Sequence, residues 1–238
     1  KILSFKDYQK LKNKYINFKY IHNKIPLGGP KNWNKLIDTA KGDYIWILHH
    51  DEYWERGSNL IKNIIEILNK KNPNAIILPI IKKKEILIKN KKLEVSQKHL
   101  VFKDIYKRFI VNPKLLLRLN TLGPPSALIY RKKNFYYDEN LKYFVDVEFY
   151  IRLFKGFVGE KIIIIKHNNF NLISSQNNKF AITNYLKKDI KKIKLSENFY
   201  ISKKLMLKYN YLENIFLIYS YLILKFCSLI STKIIIRN

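Results

Sequence analysis

A group of side chains that can bind metal ions or move protons follows an apolar run near residue 48. The run Tyr44–Leu48 ends abruptly at His49, His50, Asp51 and Glu52. Imidazole and carboxylate groups can hold a divalent cation, and that cation can hold a phosphate. In an extended chain His49 and Asp51 lie on the same side, so they can face one ligand together. The alternative is an acidic turn that only ends a strand, with His49 as a hydrogen-bonded structural histidine.

A second candidate for chemistry is Asp146, at the start of a predicted helix over Phe144–Lys155 and off its apolar face. A carboxylate near a reacting hydroxyl can accept its proton as the oxygen attacks, which is general base catalysis. Glu148 is the alternative carboxylate, on a different part of the same helix. An Asp in the first turn also complements the helix dipole, so plain capping is the competing interpretation of Asp146.

Two turns add polar groups to these candidates. Asn32 and Asn34 follow the Gly28–Pro30 turn at a helix start, where amides and backbone N–H groups can bind an anion or a nucleotide. N-capping by Asn32 explains the same pattern. In the turn over residues 123–126, Ser126 can contact a ligand hydroxyl, although a turn with two prolines is also ordinary architecture.

The elements that must position these residues alternate between strand and helix. Periodicity predicts helices after residue 31, near residue 60, over 144–155 and beyond residue 180, with a hairpin in the charged segment 82–100. Strands are predicted at 1–5, 18–22, 44–48, 75–81, 127–130 and 161–166. This order predicts an α/β fold with a mostly parallel sheet flanked by helices. In such sheets ligands bind at the carboxyl ends of the strands, where residues 49–52 would lie.

Composition limits the class of protein. The chain has 238 residues, a formal net charge of +28 and 47% hydrophobic residues, so it can fold around a sizeable core. The charge would attract nucleotide phosphates, anionic lipids or nucleic acid. The lysines are spread along the whole chain, however. A genomic bias toward A/T-rich codons is the competing explanation for the high net charge. The single cysteine, Cys227, excludes a disulfide framework and a Cys-type zinc site.

The C-terminal segment Leu212–Ile230 has a wide apolar face, a narrow polar stripe and flanking lysines. This pattern is typical of an interfacial helix that docks on anionic lipid. A transmembrane span is disfavoured because Lys225 would sit near its middle. Packing on the catalytic domain or on a second subunit is the alternative. We therefore expect a cytoplasmic protein that lies peripherally on the cytoplasmic membrane face.

The order of these motifs resembles the inverting glycosyltransferases of family 2, which have the Rossmann-like GT-A fold. The upstream block runs from the Asn-x-Asn helix through residues 40–45 to residues 48–52. The downstream block comprises residues 123–127, 130–132, 137–141 and 145–148, followed by Arg152, Leu153 and Gly156. The resemblance implies a GT-A-like catalytic domain over 1–175 that lacks the N-terminal first strand. Residues 176–238 would form a helical C-terminal extension.

The resemblance also implies a nucleotide-sugar donor and a divalent cation, Mn²⁺ or Mg²⁺. Asp51 matches the last Asp of the family's D-x-D element, and His49 stands where the first Asp would be. Both would hold the metal and the donor, with Asn32 and Asn34 also on the donor side. Asp146 matches the catalytic base, and Asp7 matches an acidic residue that contacts the nucleotide.

We therefore expect an inverting glycosyltransferase that acts on a saccharide or lipid-linked acceptor in surface polysaccharide or glycolipid synthesis. Ser126 and Glu148 would lie on the acceptor side. Two alternatives remain. A non-catalytic GT-A-like protein is suggested by His49 and by Val145, which replaces a usual acidic residue. A basic nucleic-acid-binding protein is suggested by charge alone, without a recognisable binding motif, so we do not expect nucleic acid as the partner.

Overall fold

The computed structural model describes residues 4–49, 52–54, 59–88, 91–99, 103–165, 172–175, 189–230 and 232–236. His50 and Asp51 lie outside these residues. The strands are β1 (Tyr44–Trp46), β2 (Glu52–Trp54), β3 (Ala75–Ile77), β4 (Ile80–Ile88), β5 (Lys91–His99), β6 (Leu128–Arg131), β7 (Ile162–Ile164), β8 (Leu172–Ser175) and β9 (Thr232–Ile236). The α-helices are α1 (Phe5–Lys14), α2 (Gly29–Thr39), α3 (Leu60–Lys71), α4 (Lys103–Val111), α5 (Val145–Gly156), α6 (Ile190–Lys204) and α7 (Tyr211–Ile230). Short 3-10 helices span Pro113–Leu117 and Pro125–Ala127.

The strands form two sheets. In the first, with order β1-β6-β3-β7, β6 runs antiparallel to both of its neighbours and β3 runs parallel to β7. In the second, with order β2-β8-β4-β5-β9, β4 and β8 are parallel and the other pairs are antiparallel. The hairpin predicted over residues 82–100 is present as β4 and β5.

The α/β class is confirmed, and the expectation of a mostly parallel sheet is corrected to mixed sheets. A single crossover helix between neighbouring strands makes them parallel. Here β6 follows the β4–β5 hairpin, helix α4 and two 3-10 helices. That longer connection lets β6 enter between β1 and β3 in the opposite direction.

The N-terminal segment differs from its prediction. Residues 1–3 lie outside the described residues, and Ser4 caps helix α1 by accepting the Asp7 N–H at 3.1 Å. Residues 18–22, predicted as a strand, are not part of a helix or strand. Instead, Phe18 and Tyr20 lie with their ring centroids 6.1 and 6.3 Å from the Tyr8 ring. These aromatic contacts join the segment to helix α1.

Helix α5 lies at the centre of the main core and is buried on most sides. Ile201 of α6 and Leu217 of α7 belong to the same core cluster, so the C-terminal helices pack on the body of the chain. The boundary between a catalytic domain over 1–175 and an extension over 176–238 stays a prediction. Across the described part of the chain, no helix has the combination of length and apolarity that crossing a membrane requires.

Candidate functional site

A cavity of about 350 Å³ lies where four separate parts of the chain meet. Its walls come from Trp33 on α2, from His49 after β1, from Asn120 and the following prolines, and from residues 142–147 at the start of α5. Two of the residues singled out in the sequence, His49 and Asp146, therefore lie on one cavity although 97 positions separate them. Cavities lined by apolar walls and a few polar groups are typical ligand sites.

Asp146 is the one carboxylate among the described residues that line this cavity. It lies in the first turn of α5 and is half-buried. Oδ1 accepts the Val147 N–H at 2.9 Å, and Oδ2 accepts an N–H of the Asn120 amide at 3.2 Å. Burial raises the pKa of Asp146 to about 6, although these hydrogen bonds favour the carboxylate and oppose the rise. A carboxylate with this pKa can accept a proton near neutral pH.

Asn120 positions both the turn and the carboxylate, and the sequence reasoning did not identify it. Its Oδ1 accepts the Leu122 and Gly123 N–H groups, each at 3.1 Å. The backbone of Gly123 has φ of +87°, a left-handed conformation that favours glycine. Tyr150 of α5 donates its hydroxyl to the Gly123 carbonyl at 3.2 Å, which ties the turn to the helix. An Asn shortly before Gly is a turn pattern that could have identified this residue.

His49 faces the cavity with its ring stacked on Trp33, at 5.2 Å between centroids and 18° between planes. The backbone N–H of His49 donates to Glu52 Oε2 at 3.0 Å, and the ring nitrogen Nδ1 lies 3.7 Å from the same oxygen. The Glu52 N–H donates back to the His49 carbonyl at 3.1 Å. This turn leaves His49 Nε2 buried without a hydrogen-bond partner among the described residues. Nε2 is therefore the atom to which a ligand could bind.

The metal expectation rests on His49 and on Asp51, which lies outside the described residues. Within the described ranges, no three His, Cys, Asp or Glu side chains are grouped so that they could hold a metal ion. Of the two residues expected to hold the metal, only His49 is described, and its Nε2 is buried without a hydrogen-bond partner among the described residues. Mg²⁺ and Mn²⁺ are usually bound by protein carboxylates and phosphate oxygens, so a single imidazole nitrogen does not form a complete site for either ion.

The two asparagines expected on the donor side bind protein groups. The Asn34 amide pairs with the Tyr137 backbone, donating at 2.9 Å and accepting at 2.7 Å. Asn32 Oδ1 accepts an N–H of the Asn23 amide at 2.9 Å. Asp7 is exposed on α1, where Ser4 donates its hydroxyl to the carboxylate at 2.6 Å. None of these three expected donor residues is among the described residues that line the cavity. Their roles stay predictions.

Ser126 and Glu148, expected on the acceptor side, are both fully buried. The Ser126 carbonyl accepts the indole N–H of Trp46 at 2.8 Å. Glu148 binds the Arg152 guanidinium through both oxygens, at 2.7 and 2.8 Å, and Lys204 Nζ at 2.8 Å. Neither residue is among the described residues that line the cavity, and the contacts of Glu148 are those of a buried ion network.

A second residue that the sequence reasoning missed is Glu197 on α6, which contacts one wall of the cavity from behind. Its carboxylate accepts the N–H groups of Lys142, Tyr143 and Phe144, which line the cavity next to Asp146. No local pattern could have identified this contact, because 53 positions separate Glu197 from Phe144.

A comparison with protein families agrees with the motifs. The model of glycosyl transferase family 2 matches residues 5–136, more than half of the 238 residues. Among solved structures, the crystal structure of S. aureus TarS 1–349 in complex with UDP is 18% identical, with a TM-score of 0.47. The match covers 70% of this chain and 46% of that chain, so this chain spans about half the length of that structure. No curated protein matches. From the extent of the family match, this chain belongs to glycosyl transferase family 2.

Proposed function

We propose that this chain transfers a sugar from a nucleotide-sugar donor to a hydroxyl of a saccharide or lipid-linked acceptor, with inversion, in surface polysaccharide or glycolipid synthesis. The observation that carries the proposal is Asp146, a half-buried carboxylate that lines the cavity. Burial raises the pKa of Asp146 to about 6. A general base works best when its pKa lies near the working pH. Membership in glycosyl transferase family 2 supports the reaction class.

In the proposed reaction, Asp146 takes the proton of the acceptor hydroxyl as that oxygen attacks the anomeric carbon. The bond to the nucleoside diphosphate breaks on the opposite face, which inverts the configuration. Asn120 holds one carboxylate oxygen and the Val147 N–H holds the other, so the base keeps one orientation. The Trp33 side chain, stacked on His49, forms part of the cavity wall.

The proposal includes a divalent cation, Mn²⁺ or Mg²⁺, held by His49 Nε2 and Asp51 together with oxygens of the donor diphosphate. The buried Nε2 without a described hydrogen-bond partner supports His49 as a ligand. A cation bound there would neutralise charge on the diphosphate leaving group. Titration of Mn²⁺ into the full chain with and without UDP, compared with His49→Ala, tests this assignment. Equal Mn²⁺ binding by both proteins would show that His49 is not a ligand.

The decisive experiment is a transfer and donor-hydrolysis screen over nucleotide sugars. We expect Asp146→Asn to lower turnover by about 10²- to 10⁴-fold and to leave donor affinity unchanged, because an amide of nearly the same shape cannot take the proton of the acceptor hydroxyl. Asp43→Asn is the matched control, since Asp43 is exposed and does not line the described cavity. Wild-type turnover in Asp146→Asn would make the base assignment wrong.

The same screen separates the alternative functions. A chain that neither binds nucleotide sugars nor transfers sugar would favour the non-catalytic protein. Salt-sensitive DNA binding without nucleotide-sugar binding would favour the nucleic-acid-binding protein.

We further propose that helix α7 docks on an anionic lipid surface. Its outer face exposes large apolar side chains, namely Leu212, Ile215, Tyr219, Leu222 and Phe226. Cations border this face. Lys225 lies on the helix itself, and Lys107 and Arg108 of α4 line a groove together with Leu212. Glu213 is neutralised by Lys114 Nζ at 2.8 Å. Apolar side chains bordered by cations match the interface of an anionic bilayer.

Flotation with vesicles tests the lipid proposal. We expect the chain to float with vesicles that contain phosphatidylserine and to float less with pure phosphatidylcholine. The double variant Leu222→Glu and Phe226→Glu should abolish flotation. The matched control replaces two exposed apolar residues elsewhere, Ile16 and Val158, with Glu and should float normally. Equal flotation of both double variants would overturn the proposal.

A further inference from the structure

Helix α6 places a carboxylate directly at the start of α5. Glu197 Oε1 lies 2.6 Å from the Lys142 N and 3.3 Å from the Tyr143 N. Oε2 lies 3.0 Å from the Tyr143 N and 2.8 Å from the Phe144 N. One carboxylate thus accepts hydrogen bonds from three consecutive N–H groups. Because the Glu197 side chain is almost fully buried, these bonds are sheltered from water.

These bonds lie directly before the first turn of α5. The N-terminal N–H groups of a helix have no partner within the helix, and a side chain at the N-cap normally binds one of them. The N-cap residue of α5 is Phe144, and no side-chain cap bond forms there. A carboxylate also suits the positive end of the helix dipole. Glu197 therefore holds the N-cap residue and the two residues before it, where the chain enters α5.

The segment that Glu197 holds is part of the candidate site. Residues 142–144 line one wall of the cavity, and Asp146 follows two positions after Phe144. The first helical bond, from the Glu148 N–H to the Phe144 carbonyl at 2.9 Å, includes Asp146 in the turn that it closes. A displacement of residues 142–144 would therefore move both the cavity wall and the carboxylate.

Other side chains of α6 hold the same region, and the core holds α6. Lys204 Nζ lies 2.7 Å from Asp138 Oδ2 and 2.8 Å from Glu148 Oε1. Lys194 Nζ lies 4.5 Å from the centre of the Tyr143 ring. Ile201, on the same helix, is fully buried in the main core. The backbone of α6 is thus a fixed support from which Glu197 reaches the start of α5.

We propose that Glu197 is a positioning residue for Asp146 and for the wall formed by residues 142–144, acting through the three backbone N–H groups. This inference rests on the proposed function, in which Asp146 is the general base. Glu197 does not line the described cavity, so it would not touch the substrates. Its effect would be to hold the carboxylate at the correct place for the acceptor hydroxyl. Small displacements of reacting groups lower rates strongly.

The test compares Glu197→Gln with Asp189→Asn in the full chain. Both remove one negative charge from the α6 region, but Asp189 is the exposed N-cap of α6 and forms no side-chain cap bond. With saturating donor, we expect Glu197→Gln to lower kcat/KM for the acceptor by about tenfold or more, with donor affinity unchanged. Asp189→Asn should match the wild type.

A second measurement does not depend on activity. The Asp146 carboxyl carbon can be titrated by NMR in ¹³C-labelled protein and assigned with Asp146→Asn. Other titratable groups near this carboxylate are Tyr137 and Tyr150, while His49 and Lys142 also line the cavity. Removing the Glu197 charge leaves the positive helix end uncompensated, which favours the Asp146 carboxylate. The titration midpoint should therefore fall to lower pH in Glu197→Gln and stay unchanged in Asp189→Asn.

The outcomes separate this inference from the proposed function. If Glu197→Gln melts at a lower temperature but keeps wild-type acceptor kinetics and titration midpoint, Glu197 is only structural and the inference is overturned. If the midpoint shifts but the wild type transfers no sugar, the proposed function fails and the positioning of the carboxylate stands. If Glu197→Gln does not fold, Glu197→Asp serves instead, because it keeps the charge on a shorter side chain. It should then give reduced acceptor kcat/KM, and wild-type values would overturn the inference.

Discussion

The amide nitrogen of Asn120 lies 3.2 Å from Oδ2 of Asp146, although the two residues are 26 positions apart. The same Asn120 side chain also accepts the Leu122 and Gly123 N–H groups. One residue thus determines the shape of a cavity-lining turn and the orientation of the candidate base. The proton affinity of Asp146 therefore depends on this turn as well as on burial.

Asn120→Ala should move the pH dependence of transfer. The Asn120 hydrogen bond lowers the pKa of Asp146, so its loss should raise that pKa above about 6. Because the base works when deprotonated, the acidic limb of the kcat/KM profile should move to higher pH.

The turn also loses its acceptor, and the free energy of unfolding should fall by about 1–2 kcal/mol. A pH–rate profile and urea unfolding measure both effects. Asn140→Ala, which removes an exposed bond to Asp138, is the control. An unmoved limb would contradict the role of Asn120.

Asp146→Asn should be more stable than the wild type at pH 7. The folded-state pKa of about 6 lies above the ordinary value of 3.8. Ionised Asp146 therefore lowers the free energy of unfolding. The gain in free energy of unfolding should be about 1–3 kcal/mol at pH 7, allowing for partial exposure. It should shrink as pH falls through 6 and vanish below about 3.8, where the carboxyl is protonated in both states. Denaturant unfolding of both proteins from pH 3.5 to 7.5 measures this trend, and a constant difference would contradict it.

Glu148→Gln should destabilise the fold without a specific effect on acceptor binding. The variant leaves Arg152 and Lys204 without their shared carboxylate. Removing one partner of a buried ion network should lower the free energy of unfolding by about 2–4 kcal/mol. Glu66→Gln, which breaks an exposed pair with Lys70 at 3.8 Å, should change it by less than about 0.5 kcal/mol. Chemical unfolding and acceptor KM are the measurements. A raised KM in fully folded Glu148→Gln would instead favour the acceptor-side role expected from the sequence.

Gly156→Ala should destabilise the end of α5. A Cβ at Gly156 would lie 2.6 Å from Phe135 Cζ, which is closer than real contacts allow. The ring must therefore move within a packed region, at a cost of about 1–3 kcal/mol in the free energy of unfolding. Gly42→Ala is the control, because its Cβ would lie at an ordinary 3.5 Å from the Tyr44 carbonyl. Thermal melts of the two variants give the comparison, and equal melting temperatures would show that Phe135 moves freely.

The sequence by itself determined the family and the position of Asp146 at a helix start. The spacing of the two motif blocks led to family 2, which the family model confirms over residues 5–136. It also predicted Asp146 at the start of a helix, where the structure places it. These properties are local, because neighbouring residues determine where a helix starts and where a strand ends.

Only the tertiary structure decided which polar residues meet at the cavity. His49 and Asp146 line it together, whereas the Asn34 and Glu148 side chains bind other protein groups. Asn120 and Glu197 became relevant because the fold brings them to α5 from distant positions. The direction of β6 likewise depends on a long connection. Hydrogen bonds and burial between distant segments arise only when the chain packs, and periodicity along a sequence carries no information about them.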